Sequence, residues 1–386
     1  MKIGIDKIGF AAPNYVLDLE DLAQARNVDP NKFKRGLLQS QMAVAPVTQD
    51  IVTLGSQAAQ AILSEEDKEQ IDMIIVGTES SIDQSKAAAV FIHGLLGIQP
   101  FARSIEIKEA CYGATAGLVL AKSHIAQFPE SKVLVIASDI AKYGIASAGE
   151  ATQGAGAIAM LISAEPAILT LHSDNVCQTR DIMDFWRPNE DKYPRVDGRF
   201  STEQYTDCLT TTFAEYQKQT GKKLSDFAAM CFHIPFSKQG LKGLQAIGRD
   251  DIETLERLTS RFHEAIVYNK LVGNIYTGSI FLSLLSLLEN SKELTAGDDI
   301  LFYSYGSGAV CELFSGRLVD GYQERLQQNR LETLQQRTPL TVEAYEALFF
   351  EEVQLDDKGK AINLPFDEAD FALIDIQDHK RIYRKK

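Results

Sequence analysis

Apolar positions along the chain follow two alternating rhythms. Short runs dense in β-branched and apolar side chains, Met73 to Val76, Ala102 to Ile107 and Val133 to Ala137, predict strands. Between them, small and apolar residues predict helices over Ile51 to Leu63, Lys86 to Leu96 and Gly113 to about Gln127. A second series repeats the theme with a strand over Phe227 to Ile234, helices over Ser237 to Ala246, Asp251 to Val267 and Gly278 to Glu289, and a strand over Ile300 to Tyr305. This alternation predicts an α/β fold, a mixed sheet with helices on its faces. The recurrence predicts two similar halves, residues 1–166 and 167–386.

The segments between these elements complete the picture. Gly154-Ala155-Gly156-Ala157-Ile158-Ala159 and Gly306-Ser307-Gly308-Ala309-Val310 read as equivalent glycine turns between paired strands. Trp186 to Thr202, rich in Pro, Gly and charge, reads as a long surface loop that covers a site or joins the halves. Beyond Asp356 the chain is highly charged and ends in Arg384-Lys385-Lys386, which predicts a solvated extension.

With 386 residues, 45% hydrophobic and 24% charged, the composition is that of an ordinary folded protein large enough to bury a sizeable site. A net charge of -14 disfavours nucleic acid and anionic membranes as partners, so an anionic substrate needs local basic groups. The start, Met1-Lys2-Ile3-Gly4-Ile5-Asp6-Lys7, has charges where a signal peptide needs an apolar core, and no apolar run reaches membrane-spanning length. A cytoplasmic protein is expected. Cys111, Cys177, Cys208, Cys231 and Cys311 are scattered and odd in number, which argues against disulfides and structural zinc.

Candidate chemistry gathers at predicted strand ends. Cys111 lies where the strand ending at Ile107 gives way to the helix from Gly113, and a thiol near a helix start is expected to favour the thiolate. Glu79, just past Ile74-Ile75-Val76-Gly77-Thr78, is either an acid/base or a helix-start acid with Asp83. His233, in Cys231-Phe232-His233-Ile234-Pro235, is either a core imidazole or a donor to a substrate carbonyl. Lys238 and Lys242 share one helix face and either hold phosphates or are solvated. Asn274 either caps the helix that follows it or bonds a substrate oxygen. The turn at Gly306-Ser307-Gly308 is either a plain hairpin or a set of N–H donors for an oxyanion. No Walker loop, dinucleotide fingerprint or metal-ligand cluster accompanies them, so cofactor-independent acyl transfer is the expected chemistry.

Together, Gly77-Thr78-Glu79-Ser80-Ser81-Ile82-Asp83, Glu109-Ala110-Cys111-Tyr112-Gly113, His233-Ile234-Pro235, Gly273-Asn274-Ile275-Tyr276-Thr277 and Ser304-Tyr305-Gly306-Ser307-Gly308 resemble the hydroxymethylglutaryl-CoA synthases of the thiolase superfamily, bacterial type. The resemblance covers roughly residues 1 to 330. It implies a five-layered αβαβα fold from two thiolase-like halves, a homodimer, and a place in the mevalonate route to isoprenoids. It also implies that Cys111 is acetylated by acetyl-CoA, that Glu79 is the general acid/base, and that His233 polarises the acetoacetyl-CoA carbonyl. By the same resemblance Tyr143, Thr152, Ser201, Asn274 and Ser307 surround the acyl chain, and Asp29, Lys238 and Lys242 lie nearer the CoA.

Three other readings compete. A chain-initiating ketoacyl synthase would use Cys111, His233 and Asn274 for a decarboxylative condensation but has no task for Glu79. A biosynthetic thiolase needs a second cysteine at the Gly306-Ser307-Gly308 turn, whereas Cys111's nearest counterpart, Cys311, lies beyond it. A non-catalytic acyl-CoA-binding homologue would not need Cys111, Glu79 and His233 together.

Overall fold

The computed structural model describes all 386 residues. Its main sheet runs in the order Ala229–Phe232, Asp299–Gly306, Val310–Leu318, Leu169–Leu171, Gly4–Ala11, Gly154–Ser163, Lys132–Ala141, Ile71–Gly77 and Arg103–Ile107, with Val176–Thr179 paired beside Val310–Leu318. The order is nearly palindromic. From Ile71–Gly77 inward the pairings are parallel, antiparallel, antiparallel, and from Ala229–Phe232 inward they are the same. The two series meet where Gly4 and Ile5 pair with Thr170 and Leu169.

Strand periodicity of two sorts the side chains into three cores. From the first series Ile75, Val133, Val135, Ile158 and Met160 point one way, into a core shared with Cys231, Phe302 and Phe314 of the second. That core contains the helices Gly113–Gln127 and Ser279–Asn290, and Ser279 to Leu288 are all buried. The alternate residues Ile74, Val76, Leu134 and Ile136 pack under the helices Ile51–Gln60 and Ala88–Leu96. Met230, Phe232, Leu301 and Tyr303 pack under the helices Gly198–Thr220 and Ser237–Gly248. The layers are therefore helix, sheet, helix, sheet, helix, as the resemblance implied.

Three expectations are corrected. Gly154 to Ala159 is no turn; it opens the fully buried strand Gly154–Ser163. A Cβ on Gly154 would come within 2.6 Å of the Val272 carbonyl oxygen, so this glycine serves close backbone approach. The loop expected over Trp186 to Thr202 is shorter, because Phe185–Trp186 pairs with Arg195–Val196 and the helix Gly198–Thr220 has already begun. Asp197 caps that helix by accepting from the Phe200 N–H.

The C-terminal segment is docked rather than solvated. Phe371–Gln377 and Lys380–Lys385 form an antiparallel hairpin that buries Phe371, Ala372 and Leu373. Asp50, the N-cap of the helix Ile51–Gln60, accepts from Tyr383 at 2.6 Å and from Arg381 at 3.1 Å. The charge density of the tail thus hides one alternating apolar face. No helix in the chain is long and apolar enough to cross a membrane.

The central helix is the packing keystone. Leu284→Ala, at a fully buried position, is expected to cost about 2–5 kcal/mol in denaturant unfolding. Leu120→Ala, at a position 48% exposed on the other central helix, is expected to stay within about 0.5 kcal/mol. Equal effects would contradict the layer assignment.

Candidate active site

The chain reaches the site from several strand ends. Ile71–Gly77 ends at Gly77, where a Cβ would come within 2.3 Å of the Ala114 nitrogen, so this glycine lets the strand end sit against the start of the helix Gly113–Gln127. Thr78 and Glu79 follow. Ala110, in the left-handed region at φ 41°, turns the chain so that Cys111 precedes that helix. Opposite, a Cβ on Gly306 would meet the Glu109 oxygen at 2.5 Å and the Tyr112 Cβ at 2.7 Å. The turn carrying Ser307 can therefore lie against the cysteine loop.

Cys111 is 7% exposed, and its Sγ donates to Glu79 Oε1 at 3.1 Å. Glu79 is fixed from its backbone: Asp139 Oδ1 accepts from the Glu79 N–H at 2.9 Å, and Arg187 Nη2 donates to the Glu79 carbonyl at 2.5 Å. Thr78 and Ser80 also donate to Asp139 Oδ1, each at 2.8 Å. Glu79 is not a helix-start acid, since the next helix is Ala88–Leu96, while Asp83 accepts from the N–H groups of Ser85 and Lys86.

Electrostatics overturn one expectation. Burial, followed by the Glu79 charge and hydrogen bond, pushes the Cys111 thiol well above the ordinary cysteine value, so the thiolate is disfavoured in the free protein. The helix begins only at Gly113, two residues beyond the sulfur. Burial and the nearby Asp139 charge push Glu79 upward as well. Burial drives His233 the other way, down to about 3, so its imidazole is neutral at physiological pH.

Cys111 and His233 line one cavity of about 230 Å³ together with Tyr143, Thr152, Ser201, Asn274 and Ser307. Glu79 lines a second, adjoining cavity of about 510 Å³ that shares Phe185 and Ser307 with the first. Asn274 both caps and faces the cavity: its Oδ1 accepts from the Tyr276 N–H and from Ser279 Oγ, and its Nδ2 donates to the Tyr143 hydroxyl at 2.9 Å. Thr152 Oγ1 donates to the Gly149 carbonyl, and Ser201 Oγ to Asp184 Oδ2. The rings of Tyr143, Phe185 and Tyr276 meet edge to face, with centroids 6.0–6.2 Å apart.

Asp29, Lys238 and Lys242 do not line this cavity. Asp29 accepts from the Asn31 N–H at the short helix Asn31–Lys34, Lys238 Nζ donates to the Arg35 carbonyl, and Lys242 Nζ lies 5.5 Å from the Phe236 ring. Leu37 and Phe236, their neighbours, do line it, which puts the lysines at its rim.

Sequence reasoning missed Asp139, Asp184 and Gln239. Asp139 follows the apolar run Val133 to Ala137 near the end of the strand Lys132–Ala141, much as Glu79 follows Ile74 to Val76, and that shared signal could have found it. Buried Asp184 accepts from Ser201, Tyr305 and the Gly308 N–H, securing the Ser307 turn, but it lies in a loop without periodicity.

A buried thiol against a carboxyl group, with a neutral imidazole on the same cavity and five alternating layers around them, defines a thiolase-like acyltransferase. Models for the N-terminal and C-terminal parts of hydroxymethylglutaryl-coenzyme A synthase match residues 1–167 and residues 173–259 and 251–360. The chain is 55% identical over 386 residues to the hydroxymethylglutaryl-CoA synthase of Enterococcus faecalis, covering 100% of both. It is 32% identical to the polyketide 3-hydroxy-3-methylglutaryl-ACP synthase of Bacillus subtilis, covering 98% of this chain and 96% of the other. A crystal structure of an HMG-CoA synthase complexed with CoA superposes with a TM-score of 0.98 at 58% identity, with 100% of both chains covered. A structure of MvaS in complex with 3-hydroxy-3-methylglutaryl coenzyme A superposes with a TM-score of 0.90 at 32% identity, covering 100% of this chain and 99% of the other. The chain belongs to the hydroxymethylglutaryl-CoA synthase family, acyltransferases that condense acetyl-CoA with acetoacetyl-CoA.

Because the Glu79 carboxylate disfavours a neighbouring thiolate, Glu79→Gln is expected to lower the Cys111 pKa. The pH profile of Cys111 alkylation by iodoacetamide should then move to lower pH. An unmoved or raised profile would contradict the coupling.

Proposed function

We propose that Cys111, Glu79 and His233 perform this condensation in the three roles that their contacts support. With its pKa pushed up to about 8, Glu79 keeps a minor ionised fraction at neutral pH, and in that form its Oε1, 3.1 Å from the Cys111 sulfur, takes the thiol proton as the sulfur attacks the acetyl-CoA carbonyl. Coenzyme A leaves as its thiol by taking that proton back from Glu79, which leaves Glu79 ionised and the acetyl group held as a thioester on Cys111. Glu79 then removes a proton from the thioester's methyl group. The resulting carbanion attacks the ketone carbon of acetoacetyl-CoA, and Glu79 returns the proton to the new alkoxide. Water finally cleaves the Cys111 thioester to release 3-hydroxy-3-methylglutaryl-CoA and the free thiol.

His233 works as a neutral donor in this scheme. With its pKa pushed down to about 3, the ring polarises the ketone by a hydrogen bond without losing a proton to it. Tyr143, Thr152, Ser201, Asn274 and Ser307 enclose the acyl chain, and Asp29, Lys238 and Lys242 lie toward the CoA. The halves meet near residues 166 and 167, with Glu79 and Cys111 on one and His233 on the other.

The Cys111–Glu79 contact carries this reading. It favours condensation with proton transfer over a decarboxylative ketoacyl synthase, which has no use for a carboxylate beside the sulfur. A homodimer is proposed through Arg103–Ile107, an edge strand that carries Ile105, 40% exposed, and is preceded by Phe101, 88% exposed. Work in the cytoplasm, within the mevalonate route, suits coenzyme A thioesters and five unpaired cysteines.

Incubation with acetyl-CoA is expected to add one acetyl group to the peptide carrying Cys111, seen by mass spectrometry. Glu79→Ala should still be acetylated to completion on longer incubation, but then condense the acetyl group with acetoacetyl-CoA about 10²–10⁴-fold more slowly. Undiminished condensation would remove Glu79 from the mechanism. A monomer in sedimentation at micromolar concentration would refute the dimer.

A further inference from the structure

The cavity that holds Cys111 and His233 has an unusual wall for a site serving anionic thioesters: no Asp, Glu, Lys or Arg lines it. Its recognition must be neutral. Around it, most polar side chains already have partners within the protein, including Tyr143, Asn274, Ser201 and Thr152.

Gln239 does not. It lies on the helix Ser237–Gly248, lines the cavity, and is 1% exposed, yet neither its Oε1 nor its Nε2 has a hydrogen-bond partner in the protein. The neighbouring polar groups are satisfied: Ser237 Oγ donates to Gln39 Oε1 at 3.2 Å, and Gln39 Nε2 donates to the Asn269 carbonyl at 2.7 Å. A buried amide left without partners is unfavourable, so a molecule that completes its hydrogen bonds is bound preferentially. The only other cavity residue with an orphaned buried atom is His233, at Nδ1.

The chemistry of the missing partner follows from that of the amide. A carboxamide offers one carbonyl acceptor and two N–H donors, and the neutral group that matches both is another amide. An ionised ligand group would find no counter-charge among the lining residues. Along the chain, Gln239 follows His233 toward the rim, where the Lys238 N–H donates to the Leu37 carbonyl and Lys242 lies over Phe236. A thioester seated at Cys111 and extending to that rim carries its first amide a few bonds from the sulfur.

We infer that Gln239 recognises this first amide of the pantetheine arm and so selects amide-bearing thioesters over simple alkyl thioesters. The inference rests on the condensation reading above and deepens it. A hydrogen bond made by a buried polar group discriminates strongly against an analogue lacking the partner, because that analogue leaves the group unpaired.

The test compares two acceptors on the acetylated enzyme: acetoacetyl-N-acetylcysteamine, which keeps the amide, and S-butyl acetothioacetate, which lacks it. The wild-type chain is expected to prefer the first by about tenfold or more in kcat/KM. Gln239→Leu should bring the preference to within about twofold, by losing rate only with the amide-bearing acceptor, and Gln239→Asn should fall between. Circular dichroism and thermal unfolding check that each variant is folded, and acetylation of Cys111 is carried to completion, as read by mass spectrometry, before the acceptor is added. Equal slowing of both acceptors by Gln239→Leu, or an unchanged preference, would overturn the inference while leaving the condensation reading intact. Failure of the acetylated wild type to condense even acetoacetyl-CoA would overturn that reading and the inference with it.

Discussion

Burial of the Cys111 thiol against the Glu79 carboxyl group is the constraint on which the rest of the structure depends. Each group is acidic, each loses solvation, and the charge of either disfavours the charge of the other, so both hold their protons more tightly than they would in water. When Glu79 is in its carboxylate form, the sulfur 3.1 Å away can pass it a proton with no change in the net charge of the pair. Keeping them together requires backbone to approach backbone. Gly77 and Gly306 permit that approach on two sides, and Asp139 ties Glu79 to the strand Lys132–Ala141. Ala110 and Tyr276, both at positive φ, hold strained backbone beside the sulfur.

The cavity is tuned in the same way. Burial keeps His233 neutral, and the absence of charged residues from the wall leaves polar recognition to hydroxyls and amides. In so weakly screened a space each aligned hydrogen bond to developing charge counts for more than it would in water. Lys238 and Lys242 stand outside this wall, where Lys238 donates to the Arg35 carbonyl and Lys242 lies over the Phe236 ring.

Much of this was legible in the sequence, because buried strands and helices write strong patterns. Ile71–Gly77, Arg103–Ile107 and Gly113–Gln127 match their predicted positions to within a few residues, and the second series does the same. Cys111, Glu79 and His233 were found because each follows an apolar strand, and the resemblance supplied their roles. What failed was local. Gly154 to Ala159 looked like a turn because glycine marks both tight turns and close packing, and only the neighbouring Val272 backbone decides between them. The tail looked solvated because the short apolar run Phe371-Ala372-Leu373 is outweighed by the charged residues around it, among them Arg381, which pairs with Asp50. The thiolate was expected because a helix dipole can be read from sequence, whereas the desolvation of a carboxyl neighbour cannot. Gln239 has no signature at all, since an unpartnered amide exists only in three dimensions.

Infrared difference spectroscopy of the resting protein tests the central claim most directly. If burial holds Glu79 protonated beside a neutral thiol, a carboxylic-acid carbonyl band should persist at neutral pH, disappear in Glu79→Gln, and shift when Cys111 is acetylated. A wild-type spectrum at neutral pH with no band that Glu79→Gln removes would mean that Glu79 is ionised, and the shared-proton account of the pair would be wrong.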